Sequence, residues 1–259
     1  MRIIDTHCHI NADQIYPIRG EVISRAKENG VEYLFNNGDS LPSLERILSL
    51  SKEYSCCKAV LGIHPEFAKE NDEYFNTAYQ IIRENRNAIY AIGEIGLDYH
   101  YDKSEETKEL QKKRFIEQIH LAKELSLPIV IHTRDADFDT LDIIKKELPP
   151  KIDLHCYSGS YEVLEEYLKL PIEVHIGVGG VSTFKNAKTL VNIIIKEDEN
   201  IFLSETDCPY LAPVPHRGEM NEPSFLPLII EKIASLKGID KEEMAEILYR
   251  NGKRFYGID

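Results

Sequence analysis

The 259-residue sequence contains no tryptophan, no apolar run that could cross a bilayer, and fewer basic than acidic residues. A membrane-spanning helix needs about 20 consecutive apolar residues, so the second absence argues against a transmembrane helix. With 31 Lys and Arg against 44 Asp and Glu, the net charge is −13, which argues against a free basic surface that binds nucleic acid through its phosphates. A phosphodiester substrate remains compatible with this charge, because bound divalent cations would supply positive charge locally.

Several common motifs are also missing. Residues 177–180 are glycine-rich, but no Gly-Lys-Ser/Thr follows them, which excludes a nucleotide-binding P-loop. The sequence has no Gly-x-Ser-x-Gly elbow, so serine hydrolysis lacks its usual support. The five cysteines lack zinc-finger spacing, and we expect reduced thiols. The N-terminus enters a strand-like run without a preceding signal peptide, which predicts a cytoplasmic protein.

Short apolar, β-branched runs alternate with longer amphipathic stretches along the whole chain. This alternation predicts parallel strands joined by right-handed helical crossovers. About eight such units, in a chain near the length typical of the fold, favour a (β/α)8 TIM barrel that forms a single domain over residues 1–259. The predicted strands are Arg2–Thr6, Tyr33–Asn36, Ala59–Gly62, Ile89–Gly93, Pro128–His132, Asp153–His155, Glu173–Ile176 and Ile201–Ser204. The predicted helices include Ser43–Lys52, Tyr74–Glu84, Glu106–Glu124, Leu141–Glu147, Tyr161–Leu168, Asn186–Ile195, Leu226–Leu236 and, at the end, Lys241–Asn251.

Histidines follow several predicted strands, at the end of a barrel where active sites lie. His7 and His9 are two positions apart on one strand, so both imidazoles point to the same face and can reach one ion. Cys8, between them, should point to the opposite face and pack in the barrel. His132 and His155 each end a buried strand. One such histidine alone is usually structural, but two beside a His-x-His pair favour a metal site.

Two carboxylates follow other strands. Glu94 ends an apolar run, where a carboxylate is costly unless a cation or a buried arginine compensates it. Its two oxygens can bridge two cations. Asp207 can bind a metal through one oxygen and accept a proton from water with the other, although such an aspartate also occurs as a helix or turn cap. We interpret Asp98 and Tyr99 as residues that shape their loop.

Further polar residues are candidates for contacting a substrate. His64 follows the third strand and is compatible with a metal-binding, substrate-binding or capping role, of which we favour the substrate. Arg134 lies on the same strand face as His132. His216 and Arg217, in the loop after the last strand, are candidates for an anionic substrate, because guanidinium matches phosphate in a bidentate fork. An ordinary solvated loop is the alternative.

Taken together, these segments resemble the TatD-type metal-dependent hydrolases, the TatD deoxyribonuclease family of the amidohydrolase superfamily. The resemblance spans nearly the whole chain, in family order, and implies a (β/α)8 barrel with two bound metals. The matching segments are Asp5–His9, Gly62–Pro65, Gly93–Asp98, Ile131–Arg134, His155–Gly159, Gly177–Val181, Glu205–Pro213 and Pro215–Pro223. The implied ligands are His7, His9, Glu94 and Asp207 for one metal, and Glu94, His132 and His155 for the other. The implied substrate contacts are His64, Arg134, Tyr157, His216 and Arg217.

The resemblance predicts a monomeric, cytoplasmic deoxyribonuclease of DNA repair that attacks single-stranded DNA from the 3′ end and has no contact with membranes. Two divalent ions about 3.5–4 Å apart would activate a water for in-line attack, with Glu94 and Asp207 as the catalytic carboxylates. Oxygen ligands suit Mg²⁺ or Mn²⁺, and four histidines suit Zn²⁺. This sequence departs from the family pattern at Glu219-Met220, where many members carry basic or small residues. The departure weakens the expected binding of a polyanion by the loop that contains His216 and Arg217.

Two other functions compete with this one. The same activated water could hydrolyse another ester bond, such as that of a D-aminoacyl-tRNA. A metal-binding scaffold without catalysis would act through partners and predicts a damaged ligand set, whereas all six ligand positions of this chain are intact.

Overall fold

The computed structural model describes residues 1–258 and contains an eight-stranded sheet in which each strand pairs in parallel with the next along the chain. The first and last strands also meet, so the sheet curls into a barrel with helices outside it. The predicted (β/α)8 fold is confirmed. The strands are β1 Ile3–Cys8, β2 Val31–Asn37, β3 Cys57–Leu61, β4 Ile89–Asp98, β5 Ile129–Arg134, β6 Lys151–Leu154, β7 Glu173–Val178 and β8 Phe202–Ser204.

Helices follow the strands and cover the barrel. Several begin at a capping side chain, such as Ser104, which accepts the backbone N–H of Thr107, and Ser160, which accepts that of Val163. The helices are α1 Arg19–Glu28, α2 Leu41–Glu53, α3 Asp72–Glu84, α4 Glu105–Leu125, α5 Asp137–Glu147, α6 Tyr161–Leu168, α7 Lys188–Lys196, α8 Leu226–Lys237 and α9 Lys241–Tyr256. Within residues 1–258, no helix has the combination of length and apolar character needed to cross a membrane.

The barrel closes at a seam between β1 and the end of β8. At the upper end of the seam, the backbone N–H of Asp207 donates to the carbonyl oxygen of His7 over 2.9 Å. Further down, the Thr6 hydroxyl donates to the carbonyl of Ser204 over 3.0 Å, and the Ser204 hydroxyl donates to that of Ile4 over 3.1 Å. Side-chain hydroxyls therefore complete the pairing where β8, only three residues long, is too short to do so.

The barrel interior is packed at its lower end by α9. Tyr256 stacks on Phe35 with ring centroids 3.5 Å apart, and its hydroxyl donates to the carbonyl of Thr6 over 2.7 Å. This small core is separate from the main one, which lies between the strands and the helices. It leaves the carboxyl ends of the strands as the open end of the barrel. The inner core comprises Ile4, Phe35, Val60, Ala91, Val130, Leu203, Tyr249, Phe255 and Tyr256.

The structure differs from the predicted elements in two informative places. Helix α1 is absent from the predicted set, because only Val22, Ile23 and Ala26 of its ten residues are buried, which leaves a weak amphipathic pattern. Strand β4 continues beyond Gly93 to Asp98, since its second half pairs with β5 as far as Arg134. Asp98 therefore ends a strand instead of belonging to the following loop.

Candidate metal centre

All six predicted metal ligands lie in the carboxyl-terminal halves of barrel strands or within three residues after them. His7 is fully buried and lies beneath the other five, which line a cavity of about 300 Å³. The strand periodicity explains the His7 and His9 pair, whose side chains share one face of β1, and Cys8 is buried in the outer core as expected. The cavity is lined by His9, Ala12, Asp39, His64, Glu66, Glu94, Asp98, Tyr101, His132, Arg134, His155, Asp207 and Tyr210.

One set of donor atoms surrounds the Oε2 atom of Glu94. It lies 3.4 Å from His7 Nε2 and 3.6 Å from His9 Nε2. The two Nε2 atoms are 3.1 Å apart, and Asp207 Oδ1 lies 3.8 Å from the first and 3.4 Å from the second. Four donors about 2.1 Å from a shared ion in tetrahedral geometry lie roughly 3.4 Å from one another. These residues therefore fit a bound divalent ion.

A second set faces the other oxygen of the same carboxylate. Glu94 Oε1 lies 2.8 Å from His132 Nδ1 and 3.2 Å from His155 Nε2. Donors that bind one ion at right angles, each about 2.1 Å away, are roughly 3.0 Å apart. Glu94 thus presents one oxygen to each set, the arrangement that a carboxylate bridging two cations requires.

Hydrogen bonds behind the histidines decide which ring nitrogen faces the cavity. His9 Nδ1 lies 3.0 Å from the backbone carbonyl of Asn37, to which it donates, so its Nε2 is the nitrogen that points inward. His132 is turned the other way: its Nε2 lies 3.0 Å from Asp98 Oδ2, which leaves Nδ1 to face Glu94. A ring nitrogen that donates to such an outer acceptor leaves the other nitrogen free to bind metal.

His64 also approaches Glu94, but as a donor. Its Nδ1 accepts the backbone N–H of Glu66 over 3.2 Å, so the proton of the neutral ring must lie on Nε2. Nε2 is 3.7 Å from Glu94 Oε1. Burial, together with the charge of His132, lowers the pKa of His64 to about 4, which keeps the ring neutral near pH 7. Neutral His64 therefore offers an N–H to the cavity and no lone pair to a cation.

The charge distribution of the cavity also favours cations. Burial would raise the pKa of Glu94, but the surrounding imidazoles, His155 foremost, hold it well below its usual range. Burial would lower the pKa of His9, yet the hydrogen bond to Asp207 and the charge of Glu94 raise it to about 9. Buried carboxylates that stay ionised and draw protons onto histidines create a negative potential that a divalent ion can neutralise.

Comparison with known proteins agrees with this geometry. The model of the TatD related DNase family matches residues 4–257. The chain belongs to the TatD family. Two similar proteins are named as uncharacterized metal-dependent hydrolases. YabD of Bacillus subtilis (strain 168) is 40% identical over 99% of this chain and 100% of its own length. MJ1582 of Methanocaldococcus jannaschii is 36% identical over 99% of this chain and 97% of its own length. The crystal structure of YJJV, a TatD homolog from Escherichia coli K12, matches with a TM-score of 0.93 and 28% identity over 100% of this chain and 99% of that one.

In this TatD-family chain, the loop that carries Asp207 is held by the later segment Pro215–Pro223. The side-chain amide of Asn221 donates to the carbonyls of Thr206 and Tyr210, over 2.7 and 2.6 Å. The next residue, Glu222, forms an ion pair of 2.6 Å with Arg25 on α1. The segment therefore fixes the backbone on both sides of Asp207.

The glycine-rich run after β7 makes room for the site and does not hold phosphate in the manner of a P-loop. A Cβ atom on Gly177 would lie 2.2 Å from the Glu205 carboxylate, and one on Gly180 would lie 2.0 Å from the Leu211 carbonyl oxygen. Glu205 is fully buried, and its Oε1 accepts the backbone N–H of Cys156 over 2.6 Å. Glycine at 177 therefore lets a buried carboxylate lie beneath the cavity, and glycine at 180 lets the Asp207 loop pack closely.

Three predicted substrate residues lie outside the cavity lining. Tyr157 is buried and its hydroxyl donates to the carbonyl of Ser160 over 2.7 Å. The His216 ring stacks on Phe225 with centroids 4.0 Å apart, and the Arg217 guanidinium lies 3.7 Å above the Phe184 ring. In contrast, His64 and Arg134 line the cavity. The substrate roles of all five residues stay predictions, as do the metal-binding roles of the six ligands.

Four carboxylates near the site were not assigned a chemical role from the sequence: Asp39 and Glu66, which line the cavity, and Asp98 and Glu205. Asp98 lines the cavity and contacts His132, and Gln111 fixes its backbone through hydrogen bonds of 2.9 and 2.8 Å. Asp98 lies four positions after Glu94 on one strand, and residues an even number of positions apart on a strand share a face. This spacing could have predicted from the sequence that Asp98 faces the same cavity. Glu205 Oε1 lies 3.6 Å from His155 Nδ1, behind the ring. Nothing in local sequence identifies that partner.

A larger cavity, of about 710 Å³, lies at the opposite end of the barrel. Ile89, Leu127 and Phe255 are among its lining residues. Among residues 1–258, that lining includes no histidine, cysteine or carboxylate side chain. Size alone would favour this cavity, but hydrolytic chemistry needs groups that bind metal or move protons, and these groups surround the smaller one.

Proposed function

We propose that this chain is a divalent-metal-dependent deoxyribonuclease that hydrolyses phosphodiester bonds of single-stranded DNA from the 3′ end. The observation that carries the proposal is the orientation of Glu94. One of its carboxylate oxygens lies 3.4 Å from His7 Nε2 and the other 2.8 Å from His132 Nδ1. A carboxylate shared in this way suits two neighbouring cations, the arrangement typical of phosphodiester hydrolysis. The family description and the strand-end position of the site support the same activity.

The ligand set predicts which groups hold the cations and what they contribute. His7, His9 and Asp207 would hold one ion, His132 and His155 the other, and Glu94 both. When bound, divalent ions polarise a phosphoryl oxygen and lower the pKa of water. The donors combine carboxylate oxygens with imidazole nitrogens, and this mixture suits Mg²⁺, Mn²⁺ and Zn²⁺ alike. The experiment below distinguishes the three ions.

The chain's own side chains supply the remaining functions. Asp207 faces the cavity with its pKa held below the usual range, since contact with His9 outweighs the burial that would raise it. It is therefore ionised and able to accept a proton from the attacking water. The neutral His64 offers an N–H to a phosphoryl or leaving oxygen. Arg134 lines the same cavity and would bind the phosphate through its guanidinium.

The test combines metal analysis with a nuclease assay on one preparation. Purified protein is analysed for bound metal, then incubated with single-stranded DNA labelled at either end and with Mg²⁺, Mn²⁺ or Zn²⁺ added. We expect mononucleotides to be released progressively from the 3′ end in a metal-dependent, chelator-sensitive reaction. Metal-loaded protein that leaves DNA intact but hydrolyses a D-aminoacyl-tRNA ester would overturn the proposal in favour of the other ester substrate. Monomeric state, cytoplasmic location and a part in DNA repair belong to the same proposal.

A further inference from the structure

Two exposed tyrosines line the cavity that contains the candidate metal ligands. Tyr101 follows β4 and is 72% exposed, and Tyr210 follows β8 and is 53% exposed. Tyr101 also borders Pro65 and Glu66, after β3, whereas Tyr210 borders Asn11 and Asp39, after β1 and β2, so the two rings occupy different parts of the rim of the cavity. We propose that Tyr101 and Tyr210 stack on the nucleobases on either side of the phosphodiester that is cleaved. This inference rests on the proposed deoxyribonuclease function and specifies how its substrate is bound.

The backbone of Tyr210 is firmly held although its side chain is exposed. Its carbonyl accepts the Asn221 side-chain amide over 2.6 Å, and its N–H donates to the carbonyl of Asp207 over 2.9 Å. The ring makes an edge contact with His9, with centroids 6.3 Å apart. A fixed aromatic ring loses little conformational freedom when a base stacks on it, which favours binding.

Tyr101 is paired with the one arginine of the cavity lining. The Arg134 guanidinium lies 5.3 Å from the centre of the Tyr101 ring, and its Nη1 donates to the Tyr101 hydroxyl over 3.4 Å. A base that stacks on this ring would bring its own phosphate beside the guanidinium. Ring and cation together therefore match one nucleotide, with an aromatic face next to an anion.

The arrangement favours a nucleotide chain over an apolar partner. The space between the two rings is lined by carboxylates and imidazoles, including Glu94, Asp98 and His155, which an apolar peptide or lipid would have to desolvate. A nucleic acid strand presents a base, a phosphate and another base in turn, so its anionic phosphate would meet Arg134 and the cations that the carboxylates are proposed to hold. Stacking on both rings requires bases that are not already stacked in a duplex, which predicts single-stranded substrate.

The experiment combines substrate and enzyme changes. KM for a single-stranded oligodeoxynucleotide is measured with metal-loaded wild type and with the Tyr101→Leu, Tyr210→Leu, Tyr101→Phe and Tyr210→Phe variants. The same oligonucleotide is made with an abasic residue on either side of the cleaved bond. We expect each leucine variant to raise KM roughly 5- to 100-fold, the range that base–aromatic stacking provides, and each phenylalanine variant to stay near wild type. The abasic substrate should raise KM for wild type but add little for the matching leucine variant.

A second measurement does not depend on turnover. Anisotropy of a labelled oligonucleotide with a hydrolysis-resistant linkage, titrated with metal-loaded protein, gives the Kd directly, and the same titration should quench tyrosine emission, which no tryptophan masks. Phe138→Leu removes a 79% exposed aromatic residue that lies outside the cavity lining, and serves as the matched control. Equal KM and Kd for wild type and both leucine variants would overturn the stacking proposal while leaving the nuclease intact. Absence of cleavage of every oligonucleotide by metal-loaded wild type would overturn both.

Discussion

At the scale of single residues, Glu94 links the two candidate ion sites. Its Oε2 faces His7 and His9, and its Oε1 faces His132 and His155. Asp207, by comparison, lies 3.8 Å from His7 Nε2 and 3.4 Å from His9 Nε2, with a ring nitrogen of His155 within 4.8 Å. A change at Glu94 should therefore affect both ions together, whereas a change at any histidine removes a ligand from one.

The Glu94→Gln variant tests this shared role. The amide has the same shape but no charge, so we expect both metal equivalents to be lost or weakened by more than about 100-fold, with a comparable loss of kcat. Bound metal is measured by mass spectrometry after dialysis, and rate by the labelled-DNA assay. Glu66→Gln, a change to another carboxylate of the same cavity, is the control and should retain both ions. A Glu94→Gln protein with two metals and full rate would refute the bridging role.

The pKa values of two ligands predict how metal binding depends on pH. His9 and His132 both have their pKa raised to about 9 in the metal-free chain, because Asp207 and Glu94 beside the first, and Asp98 and Glu94 beside the second, outweigh burial. A histidine binds metal only through a neutral ring, so ions must displace these protons below pH 9. We expect apparent affinity to rise as pH rises from 6 towards about 9, with His155, whose pKa Glu94 and Glu205 also raise against the effect of burial, contributing in the same direction.

Calorimetry in buffers with different heats of ionisation measures this proton release directly. Between pH 7 and 8, metal binding should release protons from the protein, and the buffer takes them up. The observed heat of metal binding should therefore change with the heat of ionisation of the buffer. Identical heats in every buffer, together with a flat affinity profile, would show that these histidines are already neutral.

Residue type and spacing along the chain were enough to select the candidate ligands, whose metal-binding roles stay predictions. His7 and His9 share a strand face, and Glu94 is a carboxylate at the end of an apolar run, so each could be identified in isolation. Asp98 and Glu205 could not, because their contacts with His132 and His155 come from other strands. Nor does local sequence show that Tyr157 points away from the cavity, since its direction is set by packing at the end of β6.

At the scale of elements, the loop after β8 depends on a side chain far along it. Asn221 is fully buried and ties together the carbonyls of Thr206 and Tyr210, on either side of Asp207. The backbone of Asp207 is in the left-handed region, with φ of 57°. Such a conformation in a residue with a side chain persists only where its surroundings hold it.

The Asn221→Ala variant should therefore disturb the site without touching it. We expect a loss of about 1–3 kcal/mol in the free energy of unfolding, because two carbonyls lose a buried donor. We also expect weaker binding of the ion held by Asp207, with less effect on the ion held by His132 and His155. Chemical denaturation and metal titration measure the two effects. Asn87→Ala, an exposed site at the other end of the barrel, is the control. Unchanged metal affinity in Asn221→Ala would contradict the positioning role.

The alternation of strands and helices was the part of the architecture best predicted from the sequence. All eight predicted strands overlap observed ones, because buried parallel strands read as continuous β-branched runs. Boundaries were harder wherever tertiary pairing extended an element. Strand β4 reaches Asp98 through pairing with β5, and α9 continues to Tyr256 because its last residues fill the lower end of the barrel.

At the scale of the whole molecule, the net charge of −13 limits how a nucleic acid can be bound. Arg134 is the one arginine in the cavity lining, and that lining includes no lysine among the described residues 1–258. Bound cations and stacking would therefore have to provide most of the affinity. This differs from nucleic-acid-binding proteins whose basic surfaces displace many counterions.

A weak dependence of binding on salt follows from this charge distribution. For single strands, the slope of log affinity against log salt is about −0.7 for each phosphate neutralised, so one or two contacts predict a slope of roughly −0.7 to −1.4. Anisotropy between about 50 and 200 mM salt measures it. A slope of about −4 or steeper would mean that an extended basic surface, elsewhere on the protein, binds the strand.

The seam of the barrel has a consequence for biosynthesis. Thr6 and Ser204, which hydrogen-bond across it, are separated by 198 positions in the chain, and the ligands His7 and Asp207 lie just above them. While the ribosome is still making the chain, the first two histidines have no aspartate opposite them. The candidate ion site that includes Asp207 can be completed only after translation has passed β8, so we expect metal loading to be one of the last events in the maturation of this protein.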